Sequence, residues 1–266
     1  MMKIVACIKY SLDVSEIKVD EETEEIKLAG VPKALGEIDE NVLEAAASLK
    51  EAHGGEVHGL SYGPPGAKDA FRDALAMGLE DVTLVEASDG EDSDPSVTAL
   101  VLAEAIKKMG EVDLVICGEL SDDGLTYQVP PRLAERLDLP QLSYVRQIDI
   151  NDGWVVAERE LEGGSQKVRA QLPALISVTQ ETNTPRRPTL MEAMQAKKKP
   201  VHVWDVEEDL GLTEEDLESR KYLERMDTKG VVIHRKRIKM EGTNHQELAN
   251  QLVDKLSEDG VLEGGA

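Results

Sequence analysis

Residues 113–130 read DLVICGELSDDGLTYQVP. Leu114, Val115, Ile116 and Cys117 are apolar at every position, as in a parallel strand covered on both faces. After Gly118 the chain turns polar at once: two acids, a glycine, a threonine and a glutamine precede the next helical pattern. In an open α/β sheet, ligands bind in the crevice beyond the carboxyl ends of the strands. The loop is therefore either polar filler or a place that holds something small.

Outward from this strand, apolar β-rich runs alternate with helical patterns, which predicts βα units and a mostly parallel, doubly wound sheet. Strands are expected at Lys3–Lys9, Glu56–Ser61, Asp81–Glu86, Leu114–Gly118, Gln141–Tyr144 and Ala174–Val178. Helices are expected at Asp39–Ala52, Ala67–Met77, Pro95–Met109 and Pro131–Leu137. Gly78 marks a helix stop, and Asp94-Pro95 an N-cap with proline at the first helical position. Glu16–Leu28 reads as a charged hairpin turning near Glu21–Thr23. Val145–Leu172 reads as two successive hairpins turning at Asn151-Asp152-Gly153 and Glu162-Gly163-Gly164.

Past Val178 the character changes. Residues 183–200 hold Pro185, Pro188 and the cluster Lys197-Lys198-Lys199, and Thr189 with Glu192 has capping-box spacing for a short helix. An acidic linker is expected at Asp205–Glu218. Beyond it lie a strand-like Val231–Ile233 and an amphipathic helix opened by Thr243, with Leu248, Leu252 and Leu256 in one stripe. Three parts follow: an α/β domain over 1–182, a segment over 183–200, and a linker with a C-terminal arm over 201–266. The arm docks either on its own domain or on a partner.

The chain has 266 residues, 41% hydrophobic and 31% charged, and a formal charge of −23. That charge argues against nucleic acid, whose phosphates need Lys/Arg surfaces. No apolar stretch is long enough to span a bilayer, and the N-terminus lacks a signal-peptide pattern, so a cytoplasmic protein is expected. Cys7 and Cys117, the only cysteines, could form a disulfide; a reducing compartment favours two free thiols.

At the strand ends, Gly124 permits a close ligand approach. Asp122 and Asp123 can accept from ribose hydroxyls or an adenine amino group, while Thr126, Gln128 and the helix-start amides can donate to phosphate. Cys7 and Lys9, Gly36–Asp39, and Tyr62-Gly63 lie at neighbouring strand ends and complete a rim for one nucleotide. Dinucleotide and Walker fingerprints are absent. The five histidines share no metal-ligand spacing, and no residue stands out as nucleophile, acid or base. A carrier or binding protein is expected, with neither catalytic nor metal residues.

With these segments assembled, the chain resembles the beta subunit of electron transfer flavoproteins. The resemblance rests on KIVACIK (3–9), DALAMGLEDV (73–82), the 118–130 loop, LPALISVTQETN (172–183) and NTPRRPTLMEAMQAKKKP (183–200). It implies an adenine-nucleotide-hydrolase-like α/β fold paired with an alpha subunit. The pair would share FAD and carry electrons from flavin dehydrogenases to a quinone reductase or similar acceptor. This subunit would bury AMP, or a second FAD in electron-bifurcating members. By position, the nucleotide would touch Cys7, Lys9, Gly36, Asp39, Tyr62, Gly63, Gly118, Asp123, Gly124, Thr126, Gln128 and Val129. Partner recognition would use Pro185, Arg186, Leu190, Met191 and Met194. Leu190 is either the apolar anchor or a core-facing first-turn residue.

The loop departs from the family pattern. Glu119 stands for a base, Leu125 for an acid, and Tyr127 and Pro130 for glycines, while Val14 stands where a tyrosine often sits near the flavin. Pro130 removes an N–H, and Glu119 makes the rim more negative. A stand-alone nucleotide-binding regulator would need a glycine-rich triphosphate loop after the fourth strand, and a nucleotide-activating hydrolase a serine-glycine pyrophosphatase loop. The chain has neither.

Overall fold

A computed structural model of the chain describes residues 1–65, 67, 71–86, 94–222, 230–232 and 236–262. In chain order the elements are β1 (Lys3–Cys7), β2 (Tyr10–Leu12), β3 (Lys18–Val19), β4 (Ile26–Lys27), β5 (Lys33–Leu35), α1 (Glu37–His53), β6 (Glu56–Gly63), α2 (Phe71–Ala76), β7 (Asp81–Glu86) and α3 (Pro95–Met109). They continue with β8 (Leu114–Gly118), α4 (Val129–Leu137), β9 (Gln141–Asn151), β10 (Trp154–Leu161), β11 (Gly164–Gln171), β12 (Ala174–Val178), α5 (Leu190–Ala196), β13 (Val201–Asp205), α6 (Glu214–Glu218) and α7 (His245–Glu258).

Continuous apolar strands need cover on both faces, and they receive it. Ile4, Ala6, Leu114 and Ile116 face Val42, Leu43 and Ala46 of α1 and Phe71 and Leu75 of α2. The alternate residues Val5, Cys7, Val115, Cys117 and Leu175 face Val97 and Val101 of α3 and Leu133 of α4. Two-residue alternation along each strand thus feeds two cores at once. Truncating one fully buried member such as Ile116 to alanine costs about 2–5 kcal/mol.

The nine-stranded sheet has the order β11-β10-β9-β12-β8-β1-β6-β7-β13. All neighbours from β9 to β13 pair in parallel; β10 and β11 add two antiparallel strands. From β1 the chain steps one way through β6 and β7, then crosses back to β8 on the other side. The order therefore reverses between β1 and β8, and a crevice opens there at their carboxyl ends. The amino ends form the opposite rim, where His58 Nδ1 lies 3.0 Å from Asp81.

Several expectations shift. The strand at 141–144 and the first hairpin strand are one element, β9. The helix expected from Pro131 starts at Val129; of the stretch expected to be helical at 67–77, Phe71–Ala76 forms α2, and residues 68–70 lie outside the described residues. Residues 201–205, assigned to the linker and arm, instead form the edge strand β13, paired Val201↔Val82 through Asp205↔Glu86. The acidic stretch after it does not run free, because Val206, Leu210, Leu212 and Leu217 pack on the α3/α4 face. Val231 and Val232 are not in a strand, and Ile233 lies outside the described residues. The last helix is capped by Asn244, whose side chain accepts from Glu247 N, not by Thr243.

The chain divides into two compact units, residues 1–18 with 27–228, and residues 19–26 with 229–266. In the second unit no residue of α7 is buried. Among the described residues, no helix is long and apolar enough to cross a membrane.

Candidate functional site

The crevice is built by three segments: the end of β1, the start of α1, and the loop after β8. Gly36 precedes α1, whose first turn carries Asp39; the Asp39 carboxylate reaches back to Gly36 N at 3.2 Å. Gly36 has no side chain to complete the reciprocal cap, and Asp122 from the loop accepts from Glu37 N at 2.7 Å. Two acidic side chains at a helix N-terminus thus satisfy its orphan N–H groups. They also leave no room at Gly36: a Cβ there would lie 2.7 Å from Asp122 Oδ2 and 2.8 Å from Asp39 Oδ2. Gly118 is confined likewise, its Cβ position 2.9 Å from Ile38 Cγ2.

Asp39 is only 5% exposed. Burial pushes its carboxyl up to about 8, the Lys9 amide N–H and Lys9 charge pull down, the neighbouring Asp122 charge pushes up, and the Gly36 N–H pulls down. At neutral pH Asp39 is therefore mostly protonated and can donate as well as accept. Lys9 Nζ closes the crevice on the other side, 2.7 and 2.8 Å from the Asp123 oxygens. Among the described residues, no group of three or more His, Cys, Asp or Glu is placed to hold a metal ion.

The loop itself is bent tightly. Gly124 N and Leu125 N both bond Ser121 O, at 3.1 and 3.0 Å. Leu125 and Tyr127 adopt positive φ, 48° and 59°, and Tyr144 on β9 does so at 56°. Each such non-glycine residue costs on the order of 1–2 kcal/mol. The Tyr127 and Tyr144 rings face each other with centroids 6.3 Å apart. Beside them opens a cavity of about 420 Å³ lined by Glu119, Tyr144, Glu160, Glu162, Thr179 and Glu181. A smaller groove of about 120 Å³, lined among others by Tyr127, Pro130 and Ser177, shares Glu119 and Tyr144 with it. Burial and then the Glu181 charge push the Glu119 carboxyl up.

The helix start is poorer in donors than its position suggests. Pro130 and Pro131 have no N–H, so Val129 is the one residue among the first three of α4 with an amide hydrogen. Gln128 is drawn into a side-chain cluster. Its Oε1 accepts from Arg132 Nε and Nη2 at 3.2 and 3.0 Å and from the Tyr222 hydroxyl. Tyr222 N in turn bonds Asp94, the cap of α3, at 2.9 Å.

Of the residues expected at a nucleotide, Cys7, Lys9, Gly36, Asp39, Gly118, Asp123 and Gly124 converge on the β1/β8 crevice. Tyr62 and Gly63 end β6, one strand further along. Thr126, Gln128 and Val129 lead from the loop into α4. Sequence reading left out Asp122 as a capping residue, and Tyr144, Thr179 and Glu181 as cavity lining. Their roles depend on strands and loops brought together across the sheet.

The 183–200 segment crosses the α1/α2 face. Asn183 and Asn41 exchange side-chain and backbone bonds at 2.9–3.0 Å. Arg186, expected at a partner surface, turns its guanidinium onto Glu44 at 2.7 Å and onto Glu51. Burial would raise the Glu44 carboxyl, but the Arg186 bonds hold it below the usual range. Thr189 caps α5 with Glu192 as spaced, and Lys199 Nζ bonds Leu75 O at 3.0 Å. Leu190, Met191 and Met194 point outward, 81%, 69% and 61% exposed; the core-facing reading of Leu190 does not hold.

Comparison with known proteins matches residues 25–209 to the electron transfer flavoprotein domain. The electron transfer flavoprotein subunit beta of Megasphaera elsdenii is 34% identical over 268 residues, covering 96% of this chain and 98% of its own. The caffeyl-CoA reductase-Etf complex subunit CarD of Acetobacterium woodii is 37% identical over 80% of this chain and 82% of its own. The electron transfer flavoprotein subunit beta of Bacillus subtilis is 36% identical over 84% and 87%.

Proposed function

Because the chain belongs to the electron transfer flavoprotein family, as a beta-type subunit that pairs with an alpha subunit, we propose that it carries electrons from flavin dehydrogenases to a quinone reductase or similar acceptor through an FAD shared with that subunit, and holds AMP in the β1/β8 crevice. FAD, when bound, supplies the redox chemistry; this chain contributes binding, orientation and electrostatics.

The observation that carries the reading is the crevice at the sheet's reversal point, walled by Gly36, Asp39 and the loop from Gly118 to Gly124. Protonated Asp39 can donate and accept toward a base or sugar, and the loop acids can accept from ribose hydroxyls or an adenine amino group. The nucleoside end is thus matched better than the phosphate end, where Lys9 is paired with Asp123 and two prolines open α4. AMP, with one phosphate, suits this set better than a second FAD with two.

On the other face, Leu190, Met191 and Met194 form the anchor for partner dehydrogenases. Pro185 and Arg186 hold its shape, and the C-terminal arm docks on the alpha subunit. The complex works in the cytoplasm.

Co-expression with an alpha subunit tests the reading. A yellow heterodimer is expected, releasing one flavin and one AMP per complex on denaturation. Two flavins per complex would replace AMP with a second FAD, and a colourless pair that does not associate would overturn the proposal. Leu190→Ala should leave the flavin content unchanged and lower the rate of reduction by a partner dehydrogenase about tenfold, since central apolar anchors are worth roughly 1–2 kcal/mol.

A further inference from the structure

The chain has two cysteines in 266 residues, and they are register partners on neighbouring strands, Cys7 on β1 against Cys117 on β8. Register partners on adjacent parallel strands point to the same face, here the α3/α4 side. At the usual strand spacing their Cα atoms stand about 4.8 Å apart, inside the range of roughly 4.4–6.8 Å that a disulfide spans. Both are reduced and buried, 7% and 4% exposed. They lie at or next to the last residue of their strands, at the floor of the crevice where the sheet order reverses.

We propose that Cys7 and Cys117 are a thiol-modification site that closes reversibly into an intramolecular disulfide on exposure to a peroxide. Cys7, the more exposed, reacts first. Its sulfur takes one peroxide oxygen as the O–O bond breaks, giving a sulfenic acid and one water. The Cys117 sulfur then attacks the Cys7 sulfur, the S–S bond forms, and the S–O bond breaks. The hydroxide leaves as water with the Cys117 proton. Two thiols lose two electrons, and one peroxide becomes two waters.

Cys117 holds its proton firmly, because the neighbouring Cys7 and burial both oppose the thiolate. Attack by Cys117 on the Cys7 sulfenic acid is therefore slow and quickens with pH. The bond would tie together the strands whose extensions, Lys9 and the Gly118–Gly124 loop, wall the crevice. The inference does not depend on which nucleotide, if any, sits above.

The test uses the purified full chain with excess hydrogen peroxide, followed by intact mass and peptide mapping. The expected result is a loss of about 2 Da, a linked Cys7–Cys117 peptide pair, and full recovery with dithiothreitol. In Cys117→Ala the Cys7 sulfenic acid has no resolving thiol, so trapping by dimedone should rise at least about tenfold over wild type. Two thiols still titratable after prolonged exposure would overturn the proposal. Oxygen added to either cysteine without a linked pair, or a disulfide between molecules, would do the same. The wild-type arm stands even if the variant fails to fold.

Discussion

Asp39→Asn should change how stability depends on pH. A carboxyl near 8 in the folded chain, against about 3.9 unfolded, binds a proton in the native state that the unfolded chain has already released. Wild-type stability therefore falls as pH rises between those values, by up to about 1.4 kcal/mol per unit, and levels off above 8. Integrated from pH 6 to 8, the loss is about 2 kcal/mol. Asparagine keeps an oxygen to accept from Gly36 N but has no proton to lose. The variant should therefore gain about 2 kcal/mol relative to wild type over that window. Urea unfolding at pH 6, 7 and 8 reads the difference directly, and groups common to both proteins cancel. Parallel profiles for the two proteins would refute the reasoning, because they would mean that Asp39 is already ionised in the native state.

Gly36→Ala should destabilise by roughly 1–3 kcal/mol, because the new methyl meets two carboxylates already engaged at the start of α1; thermal unfolding measures it. His58 has its pKa raised, mainly by the Asp81 hydrogen bond and against burial. Its contribution is fully present below the ordinary value near 6.5 and disappears as pH rises through the higher folded value. Asp81→Asn should lower the His58 titration midpoint in an NMR pH series. Arg186→Ala leaves the Glu44 carboxylate buried without its cation, at a cost of about 2–3 kcal/mol. Limited proteolysis within 183–200 should accelerate in that variant before the core unfolds.

Much of the parallel sheet was legible because its strands hold short, mostly apolar runs such as Leu114–Cys117 and Ala174–Val178. β7, β8, β12 and α3 lie where their patterns place them, and both hairpins turn at the expected glycines. β13 was not legible: Val201–Asp205 is a short edge strand with no buried residue, and its partner β7 lies more than a hundred residues upstream. The site divides the same way. That Gly36–Asp39 and the 118–128 loop belong to one rim could be read from strand ends and family likeness. The raised acidity of Asp39, the capture of Gln128 by Tyr222 and the inward turn of Arg186 could not, since each depends on a tertiary neighbour. Cys7 and Cys117 were two core residues in sequence; only strand order makes them a pair.

The route of residues 179–200 bears on how quickly a partner can be engaged and released. The segment leaves β12 near the middle of the sheet and re-enters at β13 on the far edge. On the way Asn183, Arg186 and Lys199 stitch it to α1 and α2. Fixing a loose backbone costs about 1–2 kcal/mol per residue, and here the fold has met that cost before any encounter. On the proposed function, a partner landing on Leu190, Met191 and Met194 would meet a segment already held to its own domain, with little left to order. Association would then be rapid while the contact stays small, and dissociation rapid too, as the proposed carrier role between successive partners requires.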